Sequence, residues 1–208
     1  MVSNYPVQFD VDFPSRPLGR LATAFRAILA IPIVVVVLLT ALRGETFGDS
    51  DHGTTKAIVI GGAAVFVPLV LMLVIRRKYP RWWFDWNLNL MRFANRVTAY
   101  LALLDDRYPS TDNEQAVHLE FVYPDAKQLN RWLPLIKWFL AIPHYVVLFF
   151  LGLGAIVAVI AAWFAIIVTG TYPQILFKYV VGVLRWSNRV QGYAYTLVTD
   201  QYPPFRLS

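Results

Sequence analysis

Arg92-Phe93-Ala94-Asn95-Arg96-Val97-Thr98-Ala99-Tyr100 returns 93 positions later as Arg185-Trp186-Ser187-Asn188-Arg189-Val190-Gln191-Gly192-Tyr193. The shared form is R-x-x-N-R-V-x-x-Y. Tyr79-Pro80 precedes the first copy and Tyr172-Pro173 the second, at the same offset. Asp106 and Tyr108-Pro109 follow the first. Asp200 and Tyr202-Pro203 follow the second at an offset of 94, so one residue is inserted between. Agreement over this many spaced positions marks an internal repeat, and a repeat decides the architecture before any single element does.

Upstream the correspondence continues. Phe13-Pro14 matches Tyr123-Pro124 at an offset of 110, and Leu18-Gly19-Arg20 matches Leu129-Asn130-Arg131 at 111. Ala30-Ile31-Pro32 matches Ala141-Ile142-Pro143, and Arg26 matches Lys137, also at 111. The chain therefore divides into a first repeat over 1–110 and a second over 111–208. The offset shrinks towards the C-terminus because the second repeat lacks most of the polar loop Arg43 to Lys56.

Of the 208 residues, 57% are hydrophobic and 15% charged, with a mean hydropathy of +0.49. A soluble domain is nearer to about 45–50% apolar, so composition points to an integral membrane protein. Cysteine is absent, which excludes a disulfide framework, a thiolate metal site and a Cys nucleophile. Met1 to Pro14 is polar and alternating rather than basic then apolar, so no cleavable leader is expected there. Four apolar runs are expected to be membrane spans: Leu21–Leu42, Ala57–Ile75, Leu133–Leu151 and Ala155–Thr169. They must be helical, because lipid offers no partner to strand edges. Gly152 and Gly154 are expected to form a tight apolar turn between the last two.

Two further helices are amphipathic, one from Pro80 to Leu104 and one from Pro173 onward, each with proline in its first turn. In the first, Trp83, Trp86, Leu90, Phe93 and Val97 define an apolar face against Arg81, Asp85, Asn89, Arg92 and Arg96. In the second, Leu176, Tyr179, Val180 and Val183 oppose Lys178, Arg185 and Arg189. Trp beside Arg suits the headgroup layer. Val7–Phe13 and His118–Tyr123 alternate like half-buried strands, and with Leu101–Leu104 and Tyr195–Thr199 they offer up to four short strands for one sheet. The expected fold is an all-α integral membrane protein: four transmembrane helices as two parallel-repeat hairpins, each with a cytoplasmic amphipathic helix, plus a small cytoplasmic β-sheet. Two spans per repeat make the repeats parallel, related by a pseudo-twofold along the membrane normal. The loop Arg43–Lys56 carries two cations and three anions and the rest of the chain 17 and 10. The Lys/Arg bias then places the richer side and both termini in the cytoplasm.

Ala141-Ile142-Pro143-His144, the turn Thr169-Gly170-Thr171-Tyr172-Pro173, Arg185 to Val190, and Thr199-Asp200-Gln201-Tyr202-Pro203-Pro204-Phe205 together give the chain a family likeness. On these residues it resembles the DUF4389 family of bacterial membrane proteins, a family of unknown function found widely in actinobacteria. The likeness is clearest from about Leu129 to Phe205. The first repeat is the divergent copy, with Ile33 against His144 and Arg76-Arg77-Lys78 against Thr169-Gly170-Thr171. The resemblance supports a membrane location and supplies no catalytic residues; with the four expected spans, the expected place is the bacterial cytoplasmic (inner) membrane, multi-pass.

The pairs Arg92/Arg96 and Arg185/Arg189 lie four apart, on one helix face, and are candidates for holding a lipid phosphate or a carboxylate. Against that stands a structural reading in which they bond to Asp106 and Asp200 and brace helix to strand. Arg26 and Lys137 lie inside spans near the expected cytoplasmic end, where their long stems can carry the charge to lipid headgroups. His144 is alone in its span, and no metal-ligand spacing, nucleophile elbow or phosphate loop is present, so no metal, cofactor or catalytic residue is expected. The seven Trp and the basic faces fit an interfacial belt better than nucleic acid. The expected function is a non-enzymatic accessory or scaffold subunit of a larger membrane complex that contacts anionic phospholipids. Its partners would be other membrane subunits or a second copy of itself. The alternative is a small dimeric transporter or channel.

Overall fold

The computed structural model describes residues 5–14, 17–33, 35, 70, 72–111, 113 and 115–208. Strand β1 (Val7–Val11) pairs antiparallel with β2 (Val117–Phe121), Phe9 facing Leu119 at the centre. Both strands bury every second residue, as the alternation of apolar and polar side chains dictates. Two short helices follow β1: α1 (Arg20–Ala24) and α2 (Arg26–Leu29). A π-helical turn, Met72–Arg76, leads to α3 (Arg81–Leu101). After β2 come α4 (Lys137–Leu140), the long α5 (Ile142–Thr169) and α6 (Gln174–Ala194).

The fold class expected above is overturned in its main feature. Among the described residues one helix, α5, is long and apolar enough to cross a membrane. Leu133 to Ala141 form a 3-10 turn and α4; from Ile142 onward the expected third span, with the whole of the fourth, is one uninterrupted helix of 28 residues. Gly152 and Gly154 stay helical within it. A glycine costs a helix only about 1 kcal/mol, whereas a turn here would give up several intrahelical backbone bonds with no polar side chain beside it to replace them. The expected first span is represented by α1 and α2, broken at Phe25. Most of its remainder, most of the second span and the loop Arg43–Lys56 lie outside the described residues. The even number of crossings that placed both termini on one side is therefore unsupported.

Two of the four expected strands are also corrected. Leu101–Leu104 and Tyr195–Thr199 are the unwinding ends of α3 and α6. Leu103 (φ 65) and Leu197 (φ 56), 94 positions apart, both take the left-handed conformation. At the first of these ends Leu104 N–H donates to Ala99 O and Leu103 N–H to Tyr100 O, the double closure that satisfies a helix's last carbonyls. Alternating apolar residues there serve a buried helix stop, since Leu103 and Leu197 are 2% and 0% exposed.

The halves interlock. α3 packs on β2 and α6 on β1, so each long amphipathic helix rests on the strand of the other repeat. At their crossing Asn95 Nδ2 donates to Asn188 Oδ1 and Asn188 Nδ2 to Asn95 Oδ1, both at 2.8 Å. Each carboxamide also donates to the carbonyl four residues back, Met91 and Leu184. A reciprocal bond between positions 93 apart places a local twofold between the two side chains. The apolar face expected on α3 is rotated: Phe84, Leu88, Val97 and Tyr100 are buried, while Trp86 and Leu90 are about half exposed. On α6, Arg189 is 1% exposed rather than on a solvated face.

Candidate functional site

The polar residues of the repeat fall into two matching sets. Arg26, 3% exposed, donates from Nη1 to the carbonyls of Tyr100 (3.0 Å) and Asp105 (2.8 Å) and pairs with Asp106 through Nη2. Its guanidinium lies 4.6 Å from the Tyr100 ring centre. Lys137, fully buried, donates to Thr199 O at 2.8 Å and pairs with Asp200 at 2.7 Å, with the Tyr193 ring 5.2 Å away. Gly19 N–H and Asn130 N–H, 111 apart, bond to the other oxygens of Asp106 and Asp200. Burial pulls the Lys137 ammonium below its usual range, and Asp200 pushes it back up. Charges this deep are held because each has a counter-ion and a backbone carbonyl. Arg26 and Lys137 are thus drawn inward by Asp106 and Asp200, rather than carried outward to headgroups.

The arginine pairs serve the same frame. Arg92 Nε donates to Leu119 O and Arg185 Nε to Phe9 O, each at 2.9 Å, and these carbonyls belong to the residues that face one another across the sheet. Arg185 also pairs with Asp10 at 2.8 Å. Arg96 donates to Ser110 O and Thr111 O; Arg189 donates to the backbone oxygens of Arg206 and Ser208. The structure therefore joins the expected site residues in pairs different from those the sequence suggested. Asp106 and Asp200 answer to Arg26 and Lys137, while the four arginines clamp backbone. A cavity of about 190 Å³ lies beside Arg92, Arg96, His118 and Glu120, its guanidiniums already engaged.

His144 is buried. Its Nδ1 accepts from Trp186 Nε1 at 3.0 Å and its ring stacks on Phe205 with centres 4.0 Å apart. No group of residues able to hold a metal is found among the described residues. Sequence reasoning treated Asn95 and Asn188 only as members of the motif. The signal that could have found their bond was the offset of 93 itself, which puts identical residues on either side of any twofold.

A second feature breaks the symmetry. Beside Tyr79-Pro80 and Tyr123-Pro124 lies a recess of about 590 Å³ whose wall includes Arg77, Lys78 and Lys127. Arg77 has φ 48. Its counterpart 93 positions on is Gly170, with φ 76. Asp125, the carboxylate on this wall, accepts from the backbone of Lys127 at 3.0 Å and from Gln128 at 3.2 Å. Arg81 lies over the Tyr123 ring at 5.3 Å.

The structure also exposes a large apolar surface. Only one stripe of α5 (His144, Ala158, Ala162, Ile166) is buried, and Phe149, Phe150, Val157, Phe164 and Val168 are each at least 60% exposed. Trp82, Trp132 and Trp138 are exposed as well.

Residues 132–206 match the profile of the DUF4389 family, described as a domain of unknown function. The match covers the part of the chain from just before α4 to just after the closing Tyr-Pro-Pro-Phe. No curated protein matches the chain, and no solved structure does.

Proposed function

We propose that the protein is a non-enzymatic scaffold or accessory subunit of a larger membrane complex, seated in the bilayer by α5 and contacting anionic phospholipid. The observation that carries this reading is a division of labour. The charged residues of the repeat are engaged in its frame, Arg26 with Asp106 and Lys137 with Asp200 inside one half each, Arg92 and Arg185 on the strand of the other half, while the apolar window of α5 is only 11% buried. A face of that length and polarity loses hydrophobic free energy at about 25 cal/mol per Å² for as long as it meets water. Lipid or a partner's helices are its fitting neighbours. An enzyme of this size would need a polar group aimed into a cavity, and the strongest candidates are turned towards backbone carbonyls.

Two experiments test it. Alkaline carbonate washing of native membranes should leave the protein in the pellet, and release would refute the seating of α5. Mild solubilisation followed by mass spectrometry of what stays bound should find protein subunits in fixed ratio. A bare protomer carrying only lipid would overturn the accessory role.

A further inference from the structure

We infer that the recess around Arg77, Lys78 and Lys127 is a binding site for the phosphate-bearing headgroup of an anionic phospholipid, built on one side only of an otherwise repeated frame. The inference deepens the membrane reading above and rests on it.

Met72–Arg76 is followed by Arg77 at positive φ, and the other repeat fills that place with Gly170, the residue with no Cβ to object. An arginine held there is strained, and strain kept in one copy while the other avoids it points to a task for the side chain. A π-helical turn just before it is a further irregularity of the kind that recurs at functional sites.

The chemistry of the wall agrees. Among the described residues Arg77, Lys78 and Lys127 enter no ion pair. All three are exposed. Asp125 is engaged with its own loop and offsets one of the three cations, which leaves the wall with an excess of positive charge. Pro80 lines the recess and caps α3, whose first turn has no side-chain acceptor. The positive end of a 21-residue helix therefore adds to the field. Arginine supplies a planar fork for two phosphate oxygens and lysine a point charge, the usual pair for this ligand.

The rim selects lipid over free phosphate. Ile75, 66% exposed, precedes the basic run, and Trp82, 69% exposed, follows it. Indole beside cations is the composition of the membrane–water interface, where a headgroup sits and acyl chains begin. The second repeat has Thr169-Gly170-Thr171 in place of Arg76-Arg77-Lys78 and so offers no equivalent site.

The test uses the full chain, purified in a neutral detergent. Short-chain phosphatidylglycerol, short-chain phosphatidylcholine and inorganic phosphate are titrated separately, and affinity is read by native mass spectrometry. Phosphatidylglycerol should bind at least about tenfold more tightly than either of the others. Arg77→Gly, which installs the residue of the other repeat and so relieves the backbone, should weaken it about fivefold, and Lys127→Gln by a similar factor. Lys178→Gln, an exposed cation on α6, should change nothing. Equal affinity for phosphatidylglycerol and phosphatidylcholine, or an unaltered Arg77→Gly protein, would overturn the site. Phosphate binding as tight as phosphatidylglycerol would overturn the lipid assignment. Carbonate release would instead remove the membrane reading on which the site depends, so the two failures are told apart.

Discussion

Arg26 and Lys137 occupy equivalent places and do the same work with different reach. The guanidinium of Arg26 serves two carbonyls and one carboxylate, and the ammonium of Lys137 one of each. At Arg77 and Gly170 the halves differ in the opposite sense. There the backbone is alike and the side chain is new. The interior of the repeat is thus constrained by what it must bond, while its rim is free to acquire a charge in one copy. A buried ion must find its partner in both halves; a surface cation has no such obligation.

Removing the carboxylates probes the interior most strongly. Asp200→Ala strands a fully buried ammonium and should lower stability by about 3 kcal/mol or more. Asp106→Ala should cost less, about 1–3 kcal/mol, because Arg26 keeps two carbonyl acceptors and the Tyr100 ring. Thermal unfolding in detergent checks the order of the two, and equal losses would contradict it.

Alkaline pH tests whether the matched tyrosines behave alike. Burial pushes the phenols of Tyr79 and Tyr172 well above their ordinary range. The unfolded chain ionises near 10, so the folded form holds these protons more tightly. Their contribution is whole below about pH 10 and is lost as pH rises beyond it. The expected slope is about 1.4 kcal/mol per pH unit for each phenol. Tyrosinate absorbance for both should appear together with unfolding; earlier ionisation of either one alone would separate the halves.

The smallest effects lie at the rim and have opposite signs. Arg77→Gly should raise stability by about 1 kcal/mol, and Gly170→Ala should lower it by about the same amount. Unfolding midpoints of the two variants provide the check. A loss of stability in Arg77→Gly would mean that the arginine is needed by the fold.

The sequence was legible where residues recur. The offset of 93 located both long amphipathic helices, α3 and α6, and their proline starts. The alternation in Val7–Phe13 and His118–Tyr123 located both strands, which the structure bounds at Val7–Val11 and Val117–Phe121. What stayed hidden was how the repeat's charges pair. Arg92 and Asp106 sit on the same strongly patterned stretch, and nothing in their spacing says that one will reach the opposite strand while Arg26, 80 residues earlier, takes the carboxylate. The division of α5 into two spans failed for another reason. Gly152 and Gly154 read as turn residues, but an all-apolar neighbourhood gives a turn nothing to bond with. Arg77 looked like the end of a span, although its glycine counterpart carried the clue.

The central claim is that two halves close on one shared axis at Asn95 and Asn188. A double-mutant cycle with Asn95→Ala and Asn188→Ala, read as unfolding free energy of the full chain in detergent, tests it most directly. The reciprocal bond predicts coupling of about 1 kcal/mol or more, so that the double variant loses clearly less than the sum of the singles. Strictly additive losses would mean that the two asparagines do not meet, and the shared axis would be wrong.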